Sequence, residues 1–379
     1  MDIKGIRKRS ENTYQFTVSC GFDGNGKHIR KTMTYKVPAG TTPSRVEKVV
    51  SKAFLEFEAK CKGTADFKSN MRFNELVKLY LKEYGENNLK PVTKYNYERD
   101  LEIHILPVFG NKKINSITTA ELSSFFTQLN TASETTRKLK TVMSSVFSYG
   151  KSQGYVSQNP CLGALYKKDA EAVSKIQYLD KEQCQTLLNA TSEYSIVNTI
   201  IHFALFSGVR IGECLGLTWD CVDFQNNTVT IANNLCFAYG EWFISTTKTA
   251  SGTRTIKMGS YIMELLKRHK QHQDEAKKLV GRAWAHPEVV FTSSIGNFFD
   301  RTYVNKYLKA VCEDNGLPPV SVHKLRHTNI SLLINSGFSL KAVSERAGHK
   351  STGITADTYG HIFRSYEAKM ADALETDLL

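Results

Sequence analysis

Two polar stretches, residues 63–71 and 166–178, interrupt every apolar pattern in this 379-residue chain. One core cannot run through such breaks, so the chain must build separate ones, and its length suits two or three domains. The expected domains are 1–65, 72–165 and 175–379. Each has its own periodicity. In the first, Tyr14, Phe16 and Val18 alternate with polar residues, a turn rich in Gly, Asn and Asp follows at 22–27, and residues 29–37 alternate again. That is the pattern of a hairpin. Thr42 and Pro43 then open a helix, with Thr42 as N-cap and Val46, Val49, Val50, Ala53 and Phe57 on one face. In the second region Phe73, Leu76, Val77, Tyr80 and Leu81, and later Leu139, Val142, Met143, Val146 and Phe147, recur at helical spacing. The third mixes helices with strands expected at Thr228–Ile231, 242–247 and 253–256, the last two joined by a turn near residues 250–252. The fold class is therefore α+β and mainly helical, with a small N-terminal sheet braced by a helix, an all-helical middle, and a mixed C-terminal domain.

The sign of the charge narrows the partner. Fifty Lys and Arg face 37 Asp and Glu, a net +13, which points to a polyanion and most often to nucleic acid. Residues 1–65 hold thirteen cations and six anions, with Arg7, Lys8, Arg9, Arg30 and Lys31 as the densest part. A small basic sheet of this kind can enter a DNA groove. In the second region Arg137, Lys138 and Lys140 follow the expected caps Thr135 and Thr136. Cations at a helix N-terminus oppose its dipole unless an anion such as phosphate is present. The eight cysteines are scattered without a C-x-x-C pair, which suits free thiols in a reducing compartment rather than a zinc site or a disulfide frame. No apolar run follows the charged first residues, and no run of about 18 apolar residues occurs anywhere. A soluble cytoplasmic protein without a membrane segment is expected.

Four clusters in the third region carry chemistry. Arg210 follows Ser207-Gly208-Val209 at a turn, with Glu213 three residues on to hold its guanidinium, whose fork suits a phosphate. Lys248 stands at the expected hairpin tip. His323, Arg326 and His327 open a helix at i, i+3 and i+4. Two His at that spacing can bind a metal, but the Glu of H-E-x-x-H is missing and Lys324 and Arg326 would repel a cation. Last come His349 and, ten residues later, Tyr359. Singly, these are a surface ion pair, a solubilising Lys, a helix start and a half-buried Tyr.

Together they resemble a known signature. Arg210, Lys248, His323-x-x-Arg326, His349 and Tyr359, in the contexts Val-Arg-Ile-Gly-Glu, His-Lys-Leu-Arg-His-Thr, Gly-His-Lys-Ser and Asp-Thr-Tyr-Gly-His, resemble the active site of the tyrosine recombinase (phage-type integrase) family. The resemblance covers most of residues 72–379 and departs at none of these six positions. It implies a site-specific DNA recombinase of a mobile element that integrates and excises DNA. Tyr359 would be the nucleophile, forming a 3′-phosphotyrosine. Arg210 and Arg326 would clamp the phosphate, His349 would donate a hydrogen bond to it, and Glu213 would orient Arg210. His323 would accept the Tyr359 proton and Lys248 would protonate the leaving 5′ oxygen. Neither metal nor nucleotide cofactor is implied. The first region resembles an arm-binding domain and the second a core-binding domain, so double-stranded DNA at arm-type and core sites is the expected partner. Beyond Tyr359, Phe363, Tyr366, Met370, Leu374 and Leu378 keep helical spacing. Such a tail would dock on a neighbouring subunit in a homotetramer on DNA, with an accessory excision factor as a further partner, in a bacterial nucleoid setting. A type IB topoisomerase-like nicking-closing enzyme or a chromosome dimer resolvase would share the chemistry. The basic N-terminal region argues against both.

Overall fold

A computed structural model describes residues 5–22, 28–61, 71–167, 178–246, 253–349, 351–353, 355–356 and 359. The chain divides into two compact units, 1–172 and 173–379. The first contains two separate apolar cores. One lies under an antiparallel sheet of β1 (Ile6–Ser10), β2 (Thr13–Phe22) and β3 (His28–Lys36), in that spatial order. Tyr14, Phe16 and Val18 point to one side and meet Val50 and Phe54 of α1 (Pro43–Cys61), as alternation and helical spacing require. The expected hairpin is β2–β3; most of its turn lies outside the described residues. Strand β1 is an addition, since Ile-Arg-Lys-Arg-Ser offers one apolar residue and no alternation to read. Arg7 pairs with Gln15 and Arg30 with Ser19. Both therefore lie on the face opposite Phe16. Arg7, Lys8, Arg9, Arg30 and Lys31 are all exposed.

The second core is all-helical. Helix α2 (Phe73–Leu79) runs through a π segment at Tyr80–Gly85 into α3 (Glu86–Asn88). Helix α4 (Pro91–Asp100) continues through Leu101–Ile105 into α5 (Leu106–Phe109). Then come α6 (Thr119–Gln128) and α7 (Ser133–Ser152). Phe73, Leu76, Leu101, Phe109, Phe126, Val146 and Phe147 fill the interior. Helix α7 begins earlier than Thr135 and Thr136 suggest, at Ser133, with Glu134 in its first turn. That carboxylate suits the dipole and accepts from Arg137 Nε and Nη2, each at 2.7 Å. Thr136 is buried within the helix against Thr131 Oγ1. Arg137, Lys138 and Lys140 thus sit past the first turn, so the dipole argument for an anion there is corrected. Lys140 donates to the Ala164 carbonyl.

The C-terminal unit is built round α9 (Ile196–Ser207), ten of whose twelve residues are buried. A helix buried on every side is the centre of its domain. Around it lie α8 (Lys181–Ala190), α10 (Ile211–Leu215), α11 (Ser260–Val280), α12 (Arg301–Asp314), α13 (Val322–Asn335) and α14 (Leu340–Ala347). A three-stranded antiparallel sheet is present, but its strands are β4 (Val222–Asp223), β5 (Thr228–Ile231) and β8 (Arg254–Lys257). The strand carrying Trp242, β7 (Glu241–Thr246), pairs with β6 (Asn233–Ala238) instead. The cause is local: Tyr239 and Gly240 both take positive φ, 53° and 84°, and close a two-residue hairpin. Lys248, expected at a hairpin tip, lies outside the described residues.

The turn after α9 is fixed from across the domain. Asn329 of α13 donates to the Leu205 and Phe206 carbonyls at 2.8 and 3.2 Å, closing the helix end. Gly208 follows with φ 66°, and a Cβ there would stand 2.5 Å from Asn329 Oδ1. Only Gly fits both demands. Gly208→Ala should lower stability by about 1–2 kcal/mol from the backbone alone, read as an earlier urea midpoint.

Candidate active site

The Gly208 turn delivers Arg210 to the N-cap position of α10. Glu213, in the first turn of that helix, accepts the Arg210 backbone N–H at 3.0 Å on Oε2 and Arg210 Nη1 at 2.7 Å on Oε1. The sequence predicted this pair. It did not predict the third member. Arg254, at the start of β8, donates from Nη2 to Glu213 Oε2 at 2.8 Å and from Nε to the Arg346 carbonyl at 2.8 Å. A Cβ on Gly348 would come 2.7 Å from Arg254 Nη1, so the α14 end can rest on this guanidinium only as glycine. In sequence, Arg254 sits in an alternating strand, and such an Arg reads as a solvated face. Burial raises the Glu213 pKa, but the hydrogen bond and charge of Arg254, then those of Arg210, outweigh it and hold the group below 4.5.

Arg326 enters from α13. It is 2% exposed. Nη1 donates to the Gly208 carbonyl at 2.9 Å, while the enclosed Nη2 has no acceptor among the described residues. Burial first, and Arg210 next, lower its pKa to about 10, which leaves it a cation at neutral pH. Arg210 Nη2 reaches the Gly348 carbonyl at only 3.4 Å. His349 follows Gly348, whose φ of 73° ends α14. Its Nδ1 lies 2.7 Å from Thr355 Oγ1, a partner the sequence did not suggest. Burial, then Arg326 and Arg210, lower His349 to about 4. It is thus neutral, and in the tautomer in which Nδ1 accepts from Thr355, Nε2 carries a proton that can be donated onward.

Tyr359 is completely buried, packed with Ile330, Ile334, Val343 and Ala347. Burial raises its pKa well above the usual phenol value. Its hydroxyl shares a short hydrogen bond with His327 Nδ1. This corrects the expectation that His323 stands at the Tyr359 hydroxyl. His323 is one helical turn earlier, with its ring edge-on to His327 at 4.8 Å, and its pKa is lowered by burial, Arg326 and Arg210. The spacing had marked His327 without giving it a role. Arg210, Glu213, Arg326, His349 and Tyr359 thus converge through α10, α13 and the α14 end, and Lys248 is the member outside the described residues. Arg7, Lys8, Arg9, Arg30, Lys31, Arg137, Lys138 and Lys140 belong to the other unit.

Two family models match the chain: the phage integrase family over residues 177–365 and the phage integrase N-terminal SAM-like domain over 72–130. The chain belongs to the tyrosine recombinase family. A curated relative, the ICEBs1 integrase of Bacillus subtilis (strain 168), is 26% identical over 383 residues, 99% of this chain and 100% of that one. Among solved structures, the Tn1549 transposon integrase in complex with transposon right end DNA matches with a TM-score of 0.65 at 22% identity, over 80% of this chain and 99% of that one. A lambda integrase tetramer bound to a Holliday junction matches with a TM-score of 0.54 at 15% identity, over 92% and 96%. The protein is a site-specific recombinase of the integrase type, an enzyme that cuts and rejoins DNA. No helix among the described residues is long and apolar enough to cross a membrane.

The recombinase's Glu213 gives a pH signature. Its folded-state pKa lies below its unfolded value, so its contribution to stability is fully present above about pH 4.5 and is lost as pH falls through the folded value. The stability gap between the wild type and Glu213→Gln should therefore be widest above that pH and close below it, as urea unfolding across pH 3–7 would reveal. An unchanged gap would contradict the ion-pair account.

Proposed function

We propose that this integrase recombines mobile-element DNA through Tyr359, which attacks the scissile phosphate while Arg210, Arg326 and His349 hold its non-bridging oxygens. One observation carries the reading: the buried Arg326 Nη2 with no acceptor among the described residues. A buried cationic donor left unpaired is costly, and a phosphate oxygen would satisfy it. The rest of the set fits the same ligand. Arg210 stays partly exposed, its side chain at 45%, and available to a phosphate. Neutral His349 offers an N–H. In the transition state charge grows on those oxygens, so donors already fixed in place stabilise it more than the ground state. His323, close enough to feel both arginines, would add a hydrogen bond on that side. Lys248, six residues before the anchored Arg254, would protonate the leaving 5′ oxygen. The product is a 3′-phosphotyrosine that keeps the phosphodiester energy, and a second 5′-hydroxyl completes the exchange.

Double-stranded DNA would be held at two kinds of site. The face of the N-terminal sheet opposite Phe16 carries Arg7, Arg9 and Arg30, and with Lys8 and Lys31 it would bind arm-type DNA. Arg137, Lys138 and Lys140 on α7 would lie along the core site, Lys140 less freely because it already binds a carbonyl. Recombination would proceed in a cytoplasmic homotetramer joined by the tail that carries Phe363, Tyr366, Met370, Leu374 and Leu378, with an accessory excision factor setting direction. Similarity along 99% of this chain and 100% of an integrase favours integration and excision over nicking-closing or dimer resolution.

Two outcomes test this. Tyr359→Phe should abolish covalent protein–DNA adducts on a nicked suicide duplex and leave binding of the intact site unchanged; surviving adducts would refute the nucleophile. Replacing Arg7, Arg9 and Arg30 with Gln should weaken arm-site binding and flatten the log–log salt slope by about 2–3, while core-site binding keeps its slope.

A further inference from the structure

Resting on the reading of Tyr359 as nucleophile, we propose that His327, not His323, is the catalytic group that takes the tyrosine's proton during cleavage and returns it during joining. The reacting atom itself supplies the first argument, because the Tyr359 hydroxyl is hydrogen-bonded to His327 Nδ1. The second is enclosure. Tyr359 is 0% exposed and packed with Ile330, Ile334, Val343 and Ala347, so its hydroxyl does not touch bulk water that could serve as acceptor. The third is the spacing of α13. His323 and His327 are one turn apart, and Arg326 sits between them in sequence. Besides burial, the charges of both Arg326 and Arg210 act on His323, whereas of these two arginines only Arg326 acts on His327. His327 takes the tyrosine side, its ring centroid 5.7 Å from that of Tyr359. The two histidines therefore divide the work between phosphate and nucleophile.

The protonation state agrees with this division. Burial, then His323 and Arg326, keep His327 neutral, with a pKa lowered to about 4. A neutral imidazole with its proton on Nε2 offers the Nδ1 lone pair to the phenol. Such a base is too weak to ionise the resting phenol, whose own pKa is raised by burial. The transfer becomes favourable only as the oxygen bonds to phosphorus. In that step the tyrosine oxygen attacks phosphorus, its proton passes to His327 Nδ1, the bond from phosphorus to O5′ breaks, and O5′ takes up a proton. Rejoining reverses it: the imidazolium returns the proton to the tyrosine oxygen as it leaves. Before DNA arrives, this arrangement keeps the nucleophile protonated.

The experiment separates proton transfer from packing. Full-length protein is given two DNAs. One is a nicked suicide duplex, on which adduct formation needs the tyrosine to lose its proton. The other carries a 3′-(p-nitrophenyl) phosphate opposite a 5′-hydroxyl strand. Its nitrophenolate leaves without a proton, so joining can be read in a Tyr359→Phe background. His327→Gln should slow adduct formation by about 100-fold or more, yet leave ester joining in the Tyr359→Phe background close to that of Tyr359→Phe alone. His323→Gln should slow both reactions, because it acts on the phosphate. Near-normal adduct formation by His327→Gln would overturn the proposal. So would a parallel loss of ester joining, which would mean that His327 only supports the fold. Adducts from Tyr359→Phe itself would remove the nucleophile and the proposal together, and that lane is read separately.

Discussion

A single buried carboxylate holds the catalytic unit in order. Four arginines, Arg210, Arg254, Arg326 and Arg346, crowd the region between α10, β8 and the α14 end. Like charges so close and so poorly hydrated repel strongly. Glu213 offsets part of that repulsion by taking Arg210 on one oxygen and Arg254 on the other. Main-chain carbonyls take more: Gly208 for Arg326, Lys257 and Phe206 for Arg346. The balance stays positive, and that is the functional point. Breaking a buried pair by removing one partner leaves the other charge uncompensated and is far costlier than the pair's own net worth. The surplus is what a phosphodiester can neutralise.

The same contacts join parts of the chain that are distant in sequence. Arg254 binds Glu213 and the carbonyl of Arg346, so β8, α10 and the segment leading to His349 share one anchor. Arg326 and Asn329, one turn apart on α13, grip the Gly208 turn from two sides. A catalytic site assembled from four elements needs such cross-ties, because an error of an ångström in a phosphate donor is expensive in rate. Tyr359 stands differently. It is held by an apolar pocket and one histidine, which would let the proposed nucleophile be stored without reacting.

How much of this was legible in sequence follows from range. Arg210 with Glu213 and His323 with Arg326 are three residues apart and His349 with Tyr359 ten, and their order and spacing suggested the candidate site. Helices α1 and α7 and strands β2 and β3 were legible because one face of each is buried, which writes a period into the sequence. Arg254, Asn329 and Thr355 were not, because what they do depends on partners that folding brings to them. The β6–β7 pairing was missed because Asn233 and Asn234 open β6 without alternation, and because two positive φ angles at Tyr239-Gly240 decided the partner. The start of α7 was misplaced because Glu134, rather than a threonine, answers its dipole. His327 was visible as a residue and silent as a role: its place beside Tyr359 comes from a segment 32 residues away.

The central claim is that the arginine cluster around Glu213 presents a phosphate to Tyr359. The most direct measurement is the chemical identity of the trapped intermediate. Wild-type protein would be incubated with a nicked core-site duplex, digested with protease and nuclease, and its nucleotide-linked peptide sequenced by mass spectrometry. The account predicts a 3′-phosphate ester on Tyr359. An adduct on any other side chain, or one linked through a 5′-phosphate, would contradict it.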